Sequence, residues 1–309
     1  MTGAGGQLGL DLLDAFTDHD TTGLTRTELD VTDEAAVARA VGDLAPTLVV
    51  NAAAWTDVDG CERDPQQAHH VNALGPWWLA RACDRVGATL VTVSTDYVFD
   101  GTPPVGPGGQ PRGWNEFDRI DPLNAYGRSK AAGEMLVRET LRRHHIVRTA
   151  WLAGARGDNF VRTMLRVGRE RGRLDVVDDQ IGSPTFTRDL AAGIRQLAAT
   201  GRFGTVHVVG EGTCSWFELA AAIVELAGME VDLRTQPSSA LDRPAARPAW
   251  SVLDTTHARA VGVDPLPGWL GGLTKLLAEL GELVPGGAPT GATDPSDGQT
   301  FGADRAMGA

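Results

Sequence analysis

Through the first two thirds of the chain, short apolar runs alternate with longer amphipathic stretches, and this rhythm constrains the fold more than any other feature. A short run that is apolar at nearly every position reads as a strand buried on both faces, and parallel strands of that kind need a helical crossover between them. Such runs lie at 47–51, 89–94 and 145–149. Helical periodicity marks 9–16, 34–43, 69–86 and 125–143. Strand, helix, strand in that order predicts an α/β fold with a doubly wound parallel sheet over residues 1–150. Beyond Trp151 the alternation loosens into a helix at 188–199, a strand at 205–209 and a helix at 216–228. These are expected to form a smaller interleaved domain over 151–281 that partly returns to the first core. Residues 102–114 lack periodicity and are rich in Pro and Gly, which predicts a surface loop, either a lid or an insertion. Residues 282–309 hold few large apolar side chains and predict a disordered tail.

Composition narrows the function classes. With 309 residues, 42% hydrophobic and 22% charged, the chain has material for two packed domains without disulfides or a structural metal. No apolar run is long enough to span a bilayer. A formal net charge of −12 argues against nucleic acid or an anionic membrane as partner, so an anionic ligand needs a local cation or backbone donors. Cys61, Cys83 and Cys214 are odd in number and far apart, which fits neither a disulfide framework nor a zinc site and predicts a reducing cytoplasm. The N-terminus shows no targeting pattern.

Glycines at Gly3, Gly6 and Gly9 precede an amphipathic helix, the arrangement that lets backbone amides and a helix N-terminus approach a pyrophosphate. Three glycines at these offsets also occur by chance in a chain holding 38, so a plain flexible turn stays open. Such a turn should end a central strand, yet only Met1 precedes Thr2. The expectation is a gap in the middle of the sheet and a true start several codons upstream. About 20 residues on, Asp30 stands where an acid meets a ribose, or where it caps the next helix.

A sharper signal is Tyr126-Gly-Arg-Ser-Lys130. The chain has only two tyrosines, Tyr97 and Tyr126, and only two lysines, Lys130 and Lys275. A spacing of four between members of such small sets has a chance expectation of about 0.01. Positions i and i+4 share a helix face, so the ammonium stands near the phenol. A cation about 4 Å away is worth up to roughly 4 kcal/mol at an effective dielectric of 20, enough to bring a phenol into acid–base range. A surface helix pair is the alternative. Asn51-Ala-Ala-Ala54 and Val93-Ser-Thr95-Asp96-Tyr97 close two parallel strands at the end where open sheets bind ligands. The alanines leave room for a flat cofactor or simply pack a helix on the sheet. Thr95 serves the substrate carbonyl and Tyr126, or caps the strand end.

Taken together, Thr2 to Gly9, Ser94-Thr-Asp-Tyr-Val-Phe-Asp-Gly101, Pro122-Leu-Asn-Ala-Tyr-Gly-Arg-Ser-Lys130 and Val176-Val-Asp-Asp-Gln-Ile-Gly-Ser-Pro-Thr185 resemble the dTDP-4-dehydrorhamnose reductase family of extended short-chain dehydrogenases/reductases. The resemblance runs from Thr2 to about Leu280 and implies a Rossmann-like fold with a smaller substrate domain. It implies reduction of the 4-keto group of dTDP-4-dehydro-6-deoxy-L-mannose to dTDP-L-rhamnose. Tyr126 would give the proton, Lys130 would hold the ribose and lower the phenol's pKa, and Thr95 would tune Tyr126. Gly6, Gln7 and Leu8 would line the pyrophosphate, Asp30 and Val31 the adenine side, and Ala54, Trp55 and Thr56 the nicotinamide half. Thr95, Asp96 and Trp151 would touch the sugar nucleotide, with a core role open for Trp151. Arg247 suits the diphosphate or a structural acid equally.

Leu24-Thr25-Arg26 lacks the acid that favours NADH and offers Arg26 to a 2′-phosphate, so NADPH is expected, with NADH as the alternative cofactor. Some members of the family bridge subunits through Mg2+; here Asp11 offers a ligand but Arg188 falls near the other expected position, so no metal is expected. The assembly is left open between a monomer and a homodimer. Two rival readings remain. One is another nucleotide-sugar epimerase, reductase or dehydratase, although Tyr97 replaces the Glu of the dehydratase pattern Thr-Asp-Glu. The other is a non-catalytic NADP-binding regulatory subunit, against which Tyr126, Lys130 and Thr95 argue.

Overall fold

Four parallel strands, β1 (Leu48–Asn51), β2 (Thr89–Thr95), β3 (His144–Thr149) and β4 (Gly204–His207), form the central sheet in that order in the computed structural model, which describes residues 1–284. Successive side chains point to opposite faces, so the apolar pairs Val49/Val50, Leu90/Val91 and Ile146/Val147 feed two cores at once. On one face Val50, Val91 and Val147 pack against α1 (Gln7–Ala15) through Leu8 and Leu12, and against a later helix through Leu190, Ile194 and Leu197. On the other face Val49, Leu90 and Ile146 meet α2 (Glu34–Leu44), α3 (Gly75–Val86) and α4 (Ala125–Thr140) through Val37, Val41, Leu79, Cys83 and Val137. Helices on both faces explain why these strands read as continuous apolar runs.

The position expected to be a gap in the sheet is bridged by Thr2. Thr2 bridges Asn51 on one side and Leu24 on the other. Its amide donates to Val50 O (3.0 Å) and its carbonyl accepts from Ala52 N (3.1 Å), while Leu24 N donates to Met1 O (2.8 Å). The Thr2 hydroxyl adds a 2.7 Å hydrogen bond to Asn51 Oδ1. The end of the strand that delivers the glycine turn is therefore in place.

A second lobe is built on the parallel pair Arg173–Val177 and Asp232–Gln236, covered by helices Phe160–Arg171 and Trp216–Leu226. Between them the chain returns to the first core: α5 (Thr187–Thr200) is the helix that packs on α1, and β4 pairs with β3. Several details differ from expectation. α4 ends at Thr140 rather than 143, because β3 already begins at His144. The 102–114 loop is not a free insertion, since buried Trp114 stacks on Phe99 (4.5 Å, 3°) and pairs with Val252 and Asp254 through its backbone. Residues 282–284 are tied down, with Glu282 gripping Arg169 and Val284 N donating to Leu226 O (3.1 Å). The rest of the expected tail, 285–309, lies outside the described residues.

Candidate active site

α4 carries the phenol and the ammonium, and several devices fix its start. Asn124 caps it, accepting from Gly127 N (2.8 Å) and donating to Ala246 O (2.8 Å). A Cβ on Gly127 would lie 2.1 Å from Tyr97 O, so only glycine lets the first turn press against the end of β2. Tyr126 then meets Tyr97 edge-on (5.6 Å, 77°). Lys130, 5% exposed, donates from Nζ to Val93 O at 2.6 Å. Burial pushes its pKa down to about 8, against the upward pull of Glu134.

The phenol departs from the sequence-based expectation. Burial first, and the Asp96 carboxylate second, push the Tyr126 pKa up, while the Thr95 hydroxyl pulls the other way. Lys130 is not among the main influences on this shift; its ammonium donates to the Val93 carbonyl of β2. The phenol is held protonated. Thr95 itself donates to Asp96 Oδ1 (3.0 Å) and accepts from Tyr97 N (3.2 Å), so the hydroxyl combines the strand-end cap and the Tyr126 contact that the sequence left as alternatives.

A cleft of about 650 Å³ opens over the ends of β1 and the Thr2 strand. Its walls include Gly3, Gly6, Arg26, Asp30, Val31, Ala54 and Trp55. Gly3 has φ +70°, and a Cβ there would lie 2.6 Å from Ala53 N. No side chain caps the N-terminus of α1 at Gly6, which leaves its first amides facing outward. Asp30 does not cap α2; Asp33 does, through Ala36 N (2.9 Å). Thr32 amide and hydroxyl hold the Asp30 carboxyl below its usual range.

Six expected cofactor residues do not wall the cleft: Tyr126 and Lys130 on α4, and Gln7, Leu8, Gly9 and Thr56, of which Gln7 and Leu8 still present their backbone amides at the start of α1. Leu8 is buried in the core beneath α1. Gly9 does not line the cleft: a Cβ there would lie 2.1 Å from Gly3 O, so its glycine serves the packing of helix on turn. Gln7 faces the second lobe, where its Oε1 accepts from Asn159 Nδ2 (3.4 Å), and Thr56 is exposed outside the cleft wall.

Asp96 is 3% exposed, and its Oδ2 has no hydrogen-bond partner; burial pushes its pKa up to about 6. An unpaired buried acceptor next to a phenol is suited to a hydroxyl donor. Trp151 follows β3 with φ +47°, a conformation that costs energy for a bulky residue, and its ring stacks on Trp216 at 3.5 Å and 7°. Arg247 is not free to bind a diphosphate. Its guanidinium clamps Asp59 with two hydrogen bonds of 3.0 and 2.9 Å, the structural pairing that was one of its two expected roles. Asp11 is buried and Arg188 pairs with Glu279 (3.3 Å).

The family model for the RmlD substrate binding domain matches residues 1–282. The chain belongs to that family. A dTDP-4-dehydrorhamnose reductase of Streptomyces griseus is 43% identical over 299 residues, covering 93% of this chain and 96% of that protein. One from Mycobacterium tuberculosis (strain ATCC 25618 / H37Rv) is 44% identical over 285 residues, covering 90% and 91%. The crystal structure of a Bacillus anthracis dTDP-4-dehydrorhamnose reductase in complex with NADP superposes with a TM-score of 0.85 at 40% identity, covering 90% of this chain and 97% of that one.

Several residues of this RmlD-family site escaped sequence reasoning. Gly5, Thr25, Thr27, Gln67 and Val71 also wall the cleft. Asn72 sits in a π-helical turn (His70–Leu74) within the 69–86 stretch. From there it accepts from Trp55 N (2.8 Å) and donates to Trp55 O (3.0 Å) and Ser129 Oγ (3.0 Å), tying the cleft wall to α4. The single amide side chain in that stretch was the available signal, and π turns mark functional sites.

Proposed function

We propose that the protein reduces the 4-keto group of dTDP-4-dehydro-6-deoxy-L-mannose to dTDP-L-rhamnose with NADPH, in the cytoplasm. The observation that carries this is the Tyr126–Lys130–Thr95 group, with Lys130 and Thr95 buried and Tyr126 half-buried, tied through Ser129, Asn72 and Trp55 to the wall of a glycine-walled cleft. A dinucleotide fits that cleft by its donor set. The backbone at Gly3 leaves no space for a Cβ, the α1 amides face a diphosphate, and Arg26 stands exposed at the rim for a 2′-phosphate. When bound, NADPH supplies the hydride that reduces the keto carbon.

The chain's own residues handle the proton and the orientation. Tyr126, kept protonated by burial, donates its proton to the sugar oxygen as negative charge develops there. Lys130 then faces a phenolate, whose charge its ammonium stabilises. Thr95 orients the phenol, and Asp96 offers its unpaired Oδ2 to a sugar hydroxyl. Trp151 supplies a flat apolar wall on the second lobe. Tyr97 occupies the place of a dehydratase's acid, and its phenol, pushed up by burial, offers no base near neutral pH.

Mixing the protein with NADPH and the 4-keto sugar nucleotide, and following nicotinamide absorbance, tests this reading. One equivalent of NADPH oxidised per sugar is expected. No oxidation, with both ligands bound, would leave a binding protein instead.

A further inference from the structure

Behind the reacting pair lies a buried charge cluster that the reduction itself does not touch. Glu134 stands one turn beyond Lys130 on the inner face of α4, its side chain 1% exposed. Its Oε1 accepts from the Ser94 hydroxyl (2.6 Å) and Arg148 Nε (2.9 Å). Its Oε2 accepts from Arg148 Nη2 (2.7 Å) and Arg138 Nη2 (3.2 Å). Arg148, on β3, continues to His207 Nε2 on β4 (3.3 Å) and lies over the Phe99 ring at 5.1 Å. Four donors fill the acceptor sites of one carboxylate.

Such a pair is a weak source of net stability, because desolvating both charges costs about what their attraction returns. Its register points to another use. Three consecutive β2 residues each serve one turn of α4: Thr95 faces Tyr126, the Val93 carbonyl takes Lys130, and Ser94 takes Glu134. The charges around Lys130 point the same way. From its own helix it faces Tyr126 and Glu134; from helix Val58–Arg63 it faces Cys61, whose thiol burial pushes up to about 11. From the end of β2, Asp96 acts on the phenol, and from β3 comes the cation Arg148, already held by Glu134. Tyr126 and Cys61 are neutral near pH 7, and Glu134 pulls the Lys130 pKa up against burial.

We propose that Glu134 is a positioning residue for this site: through Ser94 and Arg148 its carboxylate locks the Tyr126–Lys130 face of α4 onto β2 and β3. The inference rests on the reductase reading only for its kinetic consequence. Its direct test needs no turnover, because the chain has just two lysines and 13C-labelled lysine gives two titrating NMR signals, Lys130 and the internal reference Lys275.

In the parent protein the Lys130 midpoint is expected near 8. Glu134→Gln should lower it by about one unit, and with it the alkaline limb of kcat, so that activity at pH 8 falls about fivefold. Ser94→Ala removes one hydrogen bond and keeps the charge, so it should leave the midpoint in place. Where Glu134→Gln does not fold, Arg138→Met decides, since it strips a half-exposed cation from the same carboxylate and should raise the midpoint by a few tenths of a unit. A Lys130 midpoint unmoved in Glu134→Gln, or unmoved in Arg138→Met, would overturn the proposal. An inactive parent protein with the predicted titration would instead overturn the reductase reading alone.

Discussion

Gly9→Ala should damage both stability and cofactor binding, while the same change at Gly42 should stabilise. An alanine Cβ at position 9 would stand 2.1 Å from Gly3 O, 2.8 Å from Ala4 Cα and 2.9 Å from Gly3 C, all backbone atoms that cannot rotate away. Ordinary contact begins near 3.4 Å, so α1 must retreat by about 1 Å from the glycine turn. Overpacking of this kind costs about 1–3 kcal/mol. Alanine returns only about 1 kcal/mol of helix propensity. The net loss of up to about 2 kcal/mol corresponds to a fall in Tm of roughly 4–8 °C. A shift of about 1 Å in the α1 amides also misaligns the diphosphate site, for which a tenfold to hundredfold rise in the NADPH Kd is expected. Gly42 lies inside α2 with nothing within 4 Å of the added Cβ, so alanine there should gain about 0.5–1 kcal/mol. Denaturant melts and fluorescence titration with NADPH measure both effects. A Gly9→Ala protein with unchanged Tm and unchanged NADPH affinity would refute the packing argument for the turn.

Further outcomes follow from single side chains. Arg26→Ala should raise the KM for NADPH about tenfold to hundredfold, the worth of a charge-assisted contact, and leave that for NADH within about twofold; equal losses for both cofactors would place Arg26 away from a 2′-phosphate. Arg247→Ala breaks the clamp on Asp59 and should cost about 2 kcal/mol in a melt without a selective loss of sugar-nucleotide affinity; selective loss with an unchanged melt would restore the diphosphate role. Because burial raises the Asp96 pKa from 3.8 to about 6, its contribution to stability is present below about pH 3.8 and lost as pH rises through 6. The KM for the sugar should rise as pH falls through 6, where the accepting carboxylate is protonated, and Asp96→Asn should abolish that pH dependence.

How much of this was legible in the sequence follows from how local each interaction is. The core strands announced themselves because Val49, Val50, Leu90, Val91, Ile146 and Val147 are buried on both faces of one sheet. Tyr126 and Lys130 share a helix face, so their spacing alone carried the pairing. Contacts set by tertiary structure were silent. Arg247 and Asp59 are 188 residues apart, and nothing local says which acid an arginine will meet. The anchoring of the 102–114 loop depends on Trp114 reaching Phe99 and the 250s. The direction of the Tyr126 pKa was misjudged for the same reason. Spacing places an ammonium on the phenol's helix face, but burial and Asp96, set by tertiary structure, push the phenol's pKa the other way.

The central claim is that one phenol, Tyr126, delivers the proton. Replacing Tyr126 with Phe keeps the ring and its edge-on contact with Tyr97 while removing the donor. Rapid-mixing measurement of NADPH oxidation with the 4-keto sugar nucleotide should show a single-turnover rate about 10²–10⁴-fold lower, with both ligand affinities within about twofold of the parent protein. Oxidation at the parent rate would contradict the account.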